Sequence, residues 1–294
     1  MGQELSKDQI EEVLKGITIP PQPQIIVDVQ MEQAMPNPDI DMIADLISKD
    51  IGISGKILKT VNSPFFGLRN RIASIKQAVT LLGIDSVINL MNAMSMHDKM
   101  LDSQGMSDEA FSFMSRFWDT AADIAMASSS IAKQIGFQSP DEAYSMGLFH
   151  NSGVPLLMQR FSQYDINMIK ESYNGEEDRV IDVENKHLDT NHAVLGYYIA
   201  KSWRLPLPVC EAIARHHDVR RIFSNPDSYD SELVNLLAIL KMAEHIVRYY
   251  SVIGGQDVDH EWDSIKDDLL MYVGFSEYDF DDLTSSCHDM GLGA

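Results

Sequence analysis

The sequence predicts an all-α protein. Apolar residues recur at helical spacing through most of the chain, capping and stop residues punctuate those stretches, and no segment sustains the alternation of a half-buried strand. Only Val27, Val29 and Met31 alternate, and too briefly to decide between strand and helix. With 294 residues, 45% of them hydrophobic, the chain can bury a sizeable core.

In chain order, Ser6 and Gln9 form a capping-box pattern ahead of Ile10, Val13, Leu14 and Ile17, which share one helical face. The stretch Ile19, Pro20, Pro21, Gln22 and Pro23 is extended, because proline restricts the residue before it and donates no backbone bond. Ile40, Ile43, Leu46 and Ile47 mark a helix started by Asn37 and Pro38, and Ile53, Ile57, Leu58 and Val61 mark the next. Asn62, Ser63 and Pro64 end it in a turn. Ser74 and Gln77 repeat the capping pattern before Ala78, Leu81 and Leu82, with Gly83 as a left-handed stop. Asp85 then caps a helix carrying Ile88, Met91 and Met94; together with Met96 and Met100 these methionines read as core filler. After the polar break at Asp102, Ser103, Gln104 and Gly105, a long helix runs from Asp108 to Ile135. Helices are expected at 141–149, 154–173, 191–203, 206–217 and 231–250. The break gives an N-terminal helical half, 1–105, and a second helical half, 106–250. An acidic helical segment, 251–294, follows.

Composition excludes several classes of function. The formal charge of −21 disfavours a chain that neutralises nucleic-acid phosphates. From Asp257 onward eleven acidic residues face one lysine, which reads as a solvated segment or one that docks a basic partner. No apolar run approaches the roughly 18 residues of a spanning helix, and the N-terminus lacks a signal-peptide pattern, so a cytoplasmic location is expected. Cys210 and Cys287 stand 77 positions apart with no paired spacing, so neither a zinc knuckle nor a redox dithiol is expected. Phosphate-cradling glycine loops are absent, and no nucleophile and base are paired by spacing.

An ordered set of short matches carries a family resemblance. In the first half these are Pro20, Pro21 and Pro23; Asp50 to Ile53; Lys56 to Leu58; Asn62 to Phe66; and Ile72, Ser74, Ile75, Ala78, Leu81, Leu82 and Gly83. This half resembles the opening of HDOD domains. The second half is similar to the HD phosphohydrolase core, where one histidine, a His-Asp pair and a late aspartate hold a divalent metal. The resemblance implies a multi-helix bundle with an HD-like core preceded by an N-terminal helical subdomain. It also implies that the metal set is degenerate. Thr120 fills the first histidine position, Asn151 replaces the aspartate after His150, and Glu244 stands at the late aspartate. A neutral amide offers no charge to offset a cation.

His192, His216 and His217, with Glu184, Gly196, Trp203, Leu205 and Pro206, resemble the family's remaining histidine stretch. Successive helical residues point about 100° apart, so His216 and His217 are expected to diverge, one buried and one facing solvent. Arg215, Arg220 and Arg221 lie nearby and read as a solvated helix end, with an anion contact as the alternative. The resemblance implies a non-catalytic signalling module that binds a protein partner or a small ligand such as a nucleotide, and that receives its input from another molecule. No catalytic residue and no obligatory cofactor are assigned. The alternative is a metal-dependent phosphohydrolase with a reduced ligand set, in which His150, Glu244, His192, His216 and His217 hold Mn, Fe, Ni or Zn.

Overall fold

The structure is a computed structural model that describes residues 16–17, 19–62, 66, 68, 71–101, 107–173 and 178–293, without the side chains of 93 and 96–101. The expected first helix at 6–17, all but its last two residues, the polar break at 102–105, the residues Ser63 and Pro64, and the side chains of Met96 and Met100 lie outside that description. Among the described residues every regular element is a helix and none is a strand.

Five helices build the first lobe: α1 (Gln24–Gln33), α2 (Ile40–Ser48), α3 (Ile51–Val61), α4 (Ile75–Leu82) and α5 (Ile84–Leu101). The Val27, Val29, Met31 stretch lies in α1, where Ile26 and Val29, three apart on one helical face, are buried. The start of α2 is set by Asp39, whose carboxylate accepts from the amides of Asp41 and Met42, and not by Asn37. Asn62 ties the end of α3 to Ile72, donating to the carbonyls of Leu58 and Ile72 and accepting from the Ile72 amide, each at 2.8 Å. Ile43, Ile47, Ile57, Val61, Ala78, Val87 and Met91 fill this lobe's core.

The second lobe begins with the long α6 (Asp108–Gln134) and α7 (Pro140–Phe149), which pack along each other. Then come α8 (Gly153–Arg160), α9 (Ile166–Ser172), α10 (Val180–Leu188), α11 (His192–Ser202), α12 (Leu207–Arg215) and the short α13 (Val219–Phe223). The expected single helix over 154–173 is two, because Phe161 is extended and Asp165 caps a new start by accepting from the amides of Asn167 and Met168. Helix α14 (Ser231–Val247) is buried on almost every side and touches α6, α7 and α12, so it forms the axis of the lobe. After the one-turn α15 (Tyr249–Val252), helices α16 (His260–Val273) and α17 (Glu277–Asp289) carry the acidic segment. That segment is not merely solvated: Trp262, Ile265, Leu269, Phe280, Leu283 and Cys287 join the second core.

Two contacts tie the lobes through the extended segment at 19–23. The Trp203 indole donates to the Pro20 carbonyl at 2.8 Å, and the Gln22 amide donates to Asn92 of α5 at 2.8 Å. Tyr144 of α7 packs against both cores. No helix is long and apolar enough to cross a membrane among the described residues.

Candidate functional site

Three chain segments meet beside α14, and together they deliver four histidines from helix ends. His150 closes α7, His192 opens α11, and His216 and His217 follow the last turn of α12. Helix ends suit this role because their chain direction is free to turn while the helix body is held by the core. Glycine permits the closest approach: a methyl on Gly153 would sit 2.1 Å from the His192 carbonyl oxygen, and one on Gly196 would sit 2.9 Å from Ile213.

Every imidazole of the cluster spends its Nδ1 proton on an oxygen. His192 Nδ1 donates to the Glu184 carboxylate at 2.7 Å, His216 Nδ1 to the Ile213 carbonyl at 2.7 Å, and His217 Nδ1 to Glu261 at 3.1 Å. Those acceptors have no proton to give, so the nitrogen must be the donor and the neutral ring's Nε2 is left as a lone pair. The three Nε2 atoms converge: His192 Nε2 lies 3.1 Å from that of His216 and 3.1 Å from that of His217. Three lone pairs turned on one point repel each other and fit a cation. Two nitrogens bound about 2.0–2.1 Å from one tetrahedral ion lie roughly 3.3 Å apart, close to these separations. All three rings are buried, and their potential ligand atoms lie within 4.8 Å of one another.

The expectation that His216 and His217 diverge is therefore corrected. His216 is the C-cap of α12 and His217 lies beyond it in a turn, so the 100° step of a helix no longer separates them. Both rings are buried and face the same point.

The protein environment keeps these rings ready to ligate. Burial, then the neighbouring His217 and His192, holds His216 well below the usual histidine range, and burial lowers His217 although Glu261 opposes it. Glu184 is fully buried, accepting from the Tyr164 hydroxyl, the His192 amide (2.8 Å) and the His192 ring. Burial disfavours its charge, but the His192 contacts win and its pKa falls. A carboxylate behind a ligating histidine fixes tautomer and ring angle, the usual arrangement around a metal.

His150 stands beside the three and not among them. Its Nδ1 donates to the Gly147 carbonyl at 2.8 Å, and its Nε2 lies 2.7 Å from the Asn151 amide nitrogen and 3.1 Å from Glu244. Asn151 also places its oxygen 3.3 Å from His216 Nε2. Thr120 is buried in α6 and turns its hydroxyl onto its own helix, donating to the Arg116 carbonyl at 2.7 Å. The second oxygen of Glu244 receives Lys241 Nζ at 2.7 Å.

A narrow cleft reaches the cluster, with His217, Lys241, Glu244, Tyr249, Glu261 and Arg179 in its wall. Tyr249 is buried there, its ring edge-on to those of His150 and Tyr173. Of the nearby arginines, Arg220 is exposed and donates to Ser264 at 2.8 Å, while Arg179 is held by Asp182 and Asp218. Sequence reading found the histidines and Glu184. It missed Tyr164, Lys241, Tyr249 and Glu261 as site residues. Only Lys241 offered a signal, as a charged residue inside the apolar run from Leu236 to Ala243.

A family model described as HDOD domain matches residues 19–219, more than half of the chain. Among solved structures, an HDOD domain protein with unknown function from Geobacter sulfurreducens superposes with a TM-score of 0.65 at 21% identity, over 95% of this chain and 96% of its own. A candidate phosphohydrolase from Shewanella amazonensis SB2B does so with 0.64 at 20% identity, over 92% and 90%. At such identities the likeness is one of fold. An uncharacterized protein of Treponema pallidum (strain Nichols) is 28% identical over 228 residues, 76% of this chain and 42% of that protein. The chain thus spans less than half the length of that curated relative.

Proposed function

Because the chain belongs to the HDOD family, we propose that it is a regulatory module of signal transduction that binds a protein partner or a small ligand such as a nucleotide, without hydrolysing a phosphoester. The observation that carries this reading is the state of the positions where HD phosphohydrolases hold their metal. Thr120 spends its hydroxyl on its own helix, Asn151 brings no charge, and Glu244 is paired to Lys241. None of them presents a free anionic ligand.

The three converging histidines fit one divalent ion of the imidazole-preferring kind, Zn, Ni or Fe, with Mn less suited to an all-nitrogen set. When bound, such an ion supplies a fixed positive charge and Lewis acidity at the floor of the cleft. The chain's own residues do the rest: Glu184 and Glu261 orient two of the rings, and the cleft leads to the cluster at His217. That the cleft reaches His217 and Glu244 favours a second reading, a phosphohydrolase with a reduced ligand set.

Metal-loaded protein assayed against p-nitrophenyl phosphate and bis-p-nitrophenyl phosphate separates the two. The regulatory reading expects bound metal and no turnover above a metal-free control. Metal-dependent turnover that disappears in His150→Ala would establish the hydrolase instead.

A further inference from the structure

Lys241 is an ammonium buried in the body of α14, where every flanking core position is apolar. A lysine so placed is rare unless its charge is paired. Here it is paired twice, to Glu244 at 2.7 Å and to Glu261 at 2.6 Å. The other oxygen of each carboxylate lies 3.1 Å from a histidine nitrogen: Glu261 accepts from His217 Nδ1, and Glu244 stands beside His150 Nε2, whose lone pair takes the Asn151 amide. The result is a chain of contacts, His150, Glu244, Lys241, Glu261, His217, that runs alongside the histidine centre with a cation at its middle. Burial opposes the charged lysine, but the two carboxylates overcome it and raise its pKa.

We infer that Lys241 is a tethered cation occupying the place of a second metal ion, so that the site is built to take one divalent ion at the histidines and no more. The inference rests on the proposed histidine centre and goes beyond it. Charge decides the number. Among the charged groups packed against the histidines, Glu184, Glu244 and Glu261 carry three negative charges and Lys241 one positive, a net of −2 with the histidines neutral. One divalent ion cancels this. A second would leave an uncompensated double charge in a buried site, which is strongly unfavourable. Replacing the lysine by a neutral residue leaves three carboxylates around one ion and frees Glu244 and Glu261, with His150 beside them, as oxygen and nitrogen ligands for another.

The test is metal stoichiometry on the full chain, stripped with chelator, reloaded with Zn or Ni, passed through gel filtration and analysed for retained metal. One ion per wild-type chain is expected. Lys241→Ala should retain two, and adding Glu261→Gln to it should return the count to one. Lys241→Arg, which keeps the charge, should retain one. Two ions on the wild-type chain would overturn the inference while leaving the histidine centre intact, and that measurement stands even if Lys241→Ala fails to fold. A folded Lys241→Ala that still retains one ion also overturns it. No retained ion on the wild type removes the histidine centre itself, and this inference with it.

Discussion

His216 and His217 sit below the ordinary histidine pKa of 6.5 because burial disfavours their charged forms. In the unfolded chain they regain the ordinary value and take up protons as pH drops below it, while the folded protein does not. Stability of the metal-free protein contributed by these rings is therefore intact above about pH 6.5 and is lost as pH falls from there toward their folded values. Glu184, Glu244 and Glu261 have lowered values and titrate below the usual carboxylate range, so they do not enter this window. Denaturant melts of wild type and His216→Asn between pH 7 and 5.5 should show a shallower fall in the variant, the difference growing toward about one proton, or roughly 1.4 kcal/mol per pH unit, at the low end. Equal slopes would place the His216 proton elsewhere. At this scale the sequence exposed the chemistry of residue types: the histidines, the missing acid at Asn151 and the neutral Thr120 all follow from a linear reading. Lys241 paired with Glu261 does not, because the two are 20 positions apart and only tertiary packing brings α16 against α14.

Helix ends do most of the positioning. The start of α8 lies against the start of α11, and a methyl on Gly153 would meet the backbone of His192, at 2.1 Å from its oxygen and 2.8 Å from its Cα. Backbone cannot yield as a side chain tip can. Gly153→Ala should cost roughly 1–3 kcal/mol or more in stability and weaken Zn or Ni binding at least tenfold by calorimetry, because His192 has to shift. Gly55→Ala, at a mid-helix site with nothing within 4 Å, should instead stabilise by about 0.5–1 kcal/mol. Periodicity located most helices but not their interruptions. Between 154 and 173 the apolar spacing continues through Phe161, and only the extended backbone there and the Asp165 cap show the break. The same limit explains His216 and His217: the 100° rule holds inside a helix, and sequence alone did not place α12's last turn before them.

Across the whole molecule, two apolar cores meet at Tyr144 and at the extended proline segment, and the acidic C-terminal helices close the second core. Charge patterning made residues 257–294 look like solvated surface, since the exposed faces of α16 and α17 hold every acid of the two helices except Glu261. The buried face was legible only in the spacing of Trp262, Ile265 and Leu269, which a count of charges overrides. Truncation after residue 256 removes those side chains, Phe280, Leu283 and Glu261 together. Such a chain should melt at a much lower temperature than the full protein, or fail to give a cooperative melt, by circular dichroism. An unchanged melt would make the segment an independent appendage. The histidine centre is the claim on which the rest depends, and anomalous diffraction at the zinc or nickel edge from crystals of the metal-loaded chain tests it most directly. One peak bonded to the Nε2 atoms of His192, His216 and His217, with none between Glu244 and Glu261, is the predicted result; no peak at the histidines, or a peak held by His150 and Glu244, would contradict it.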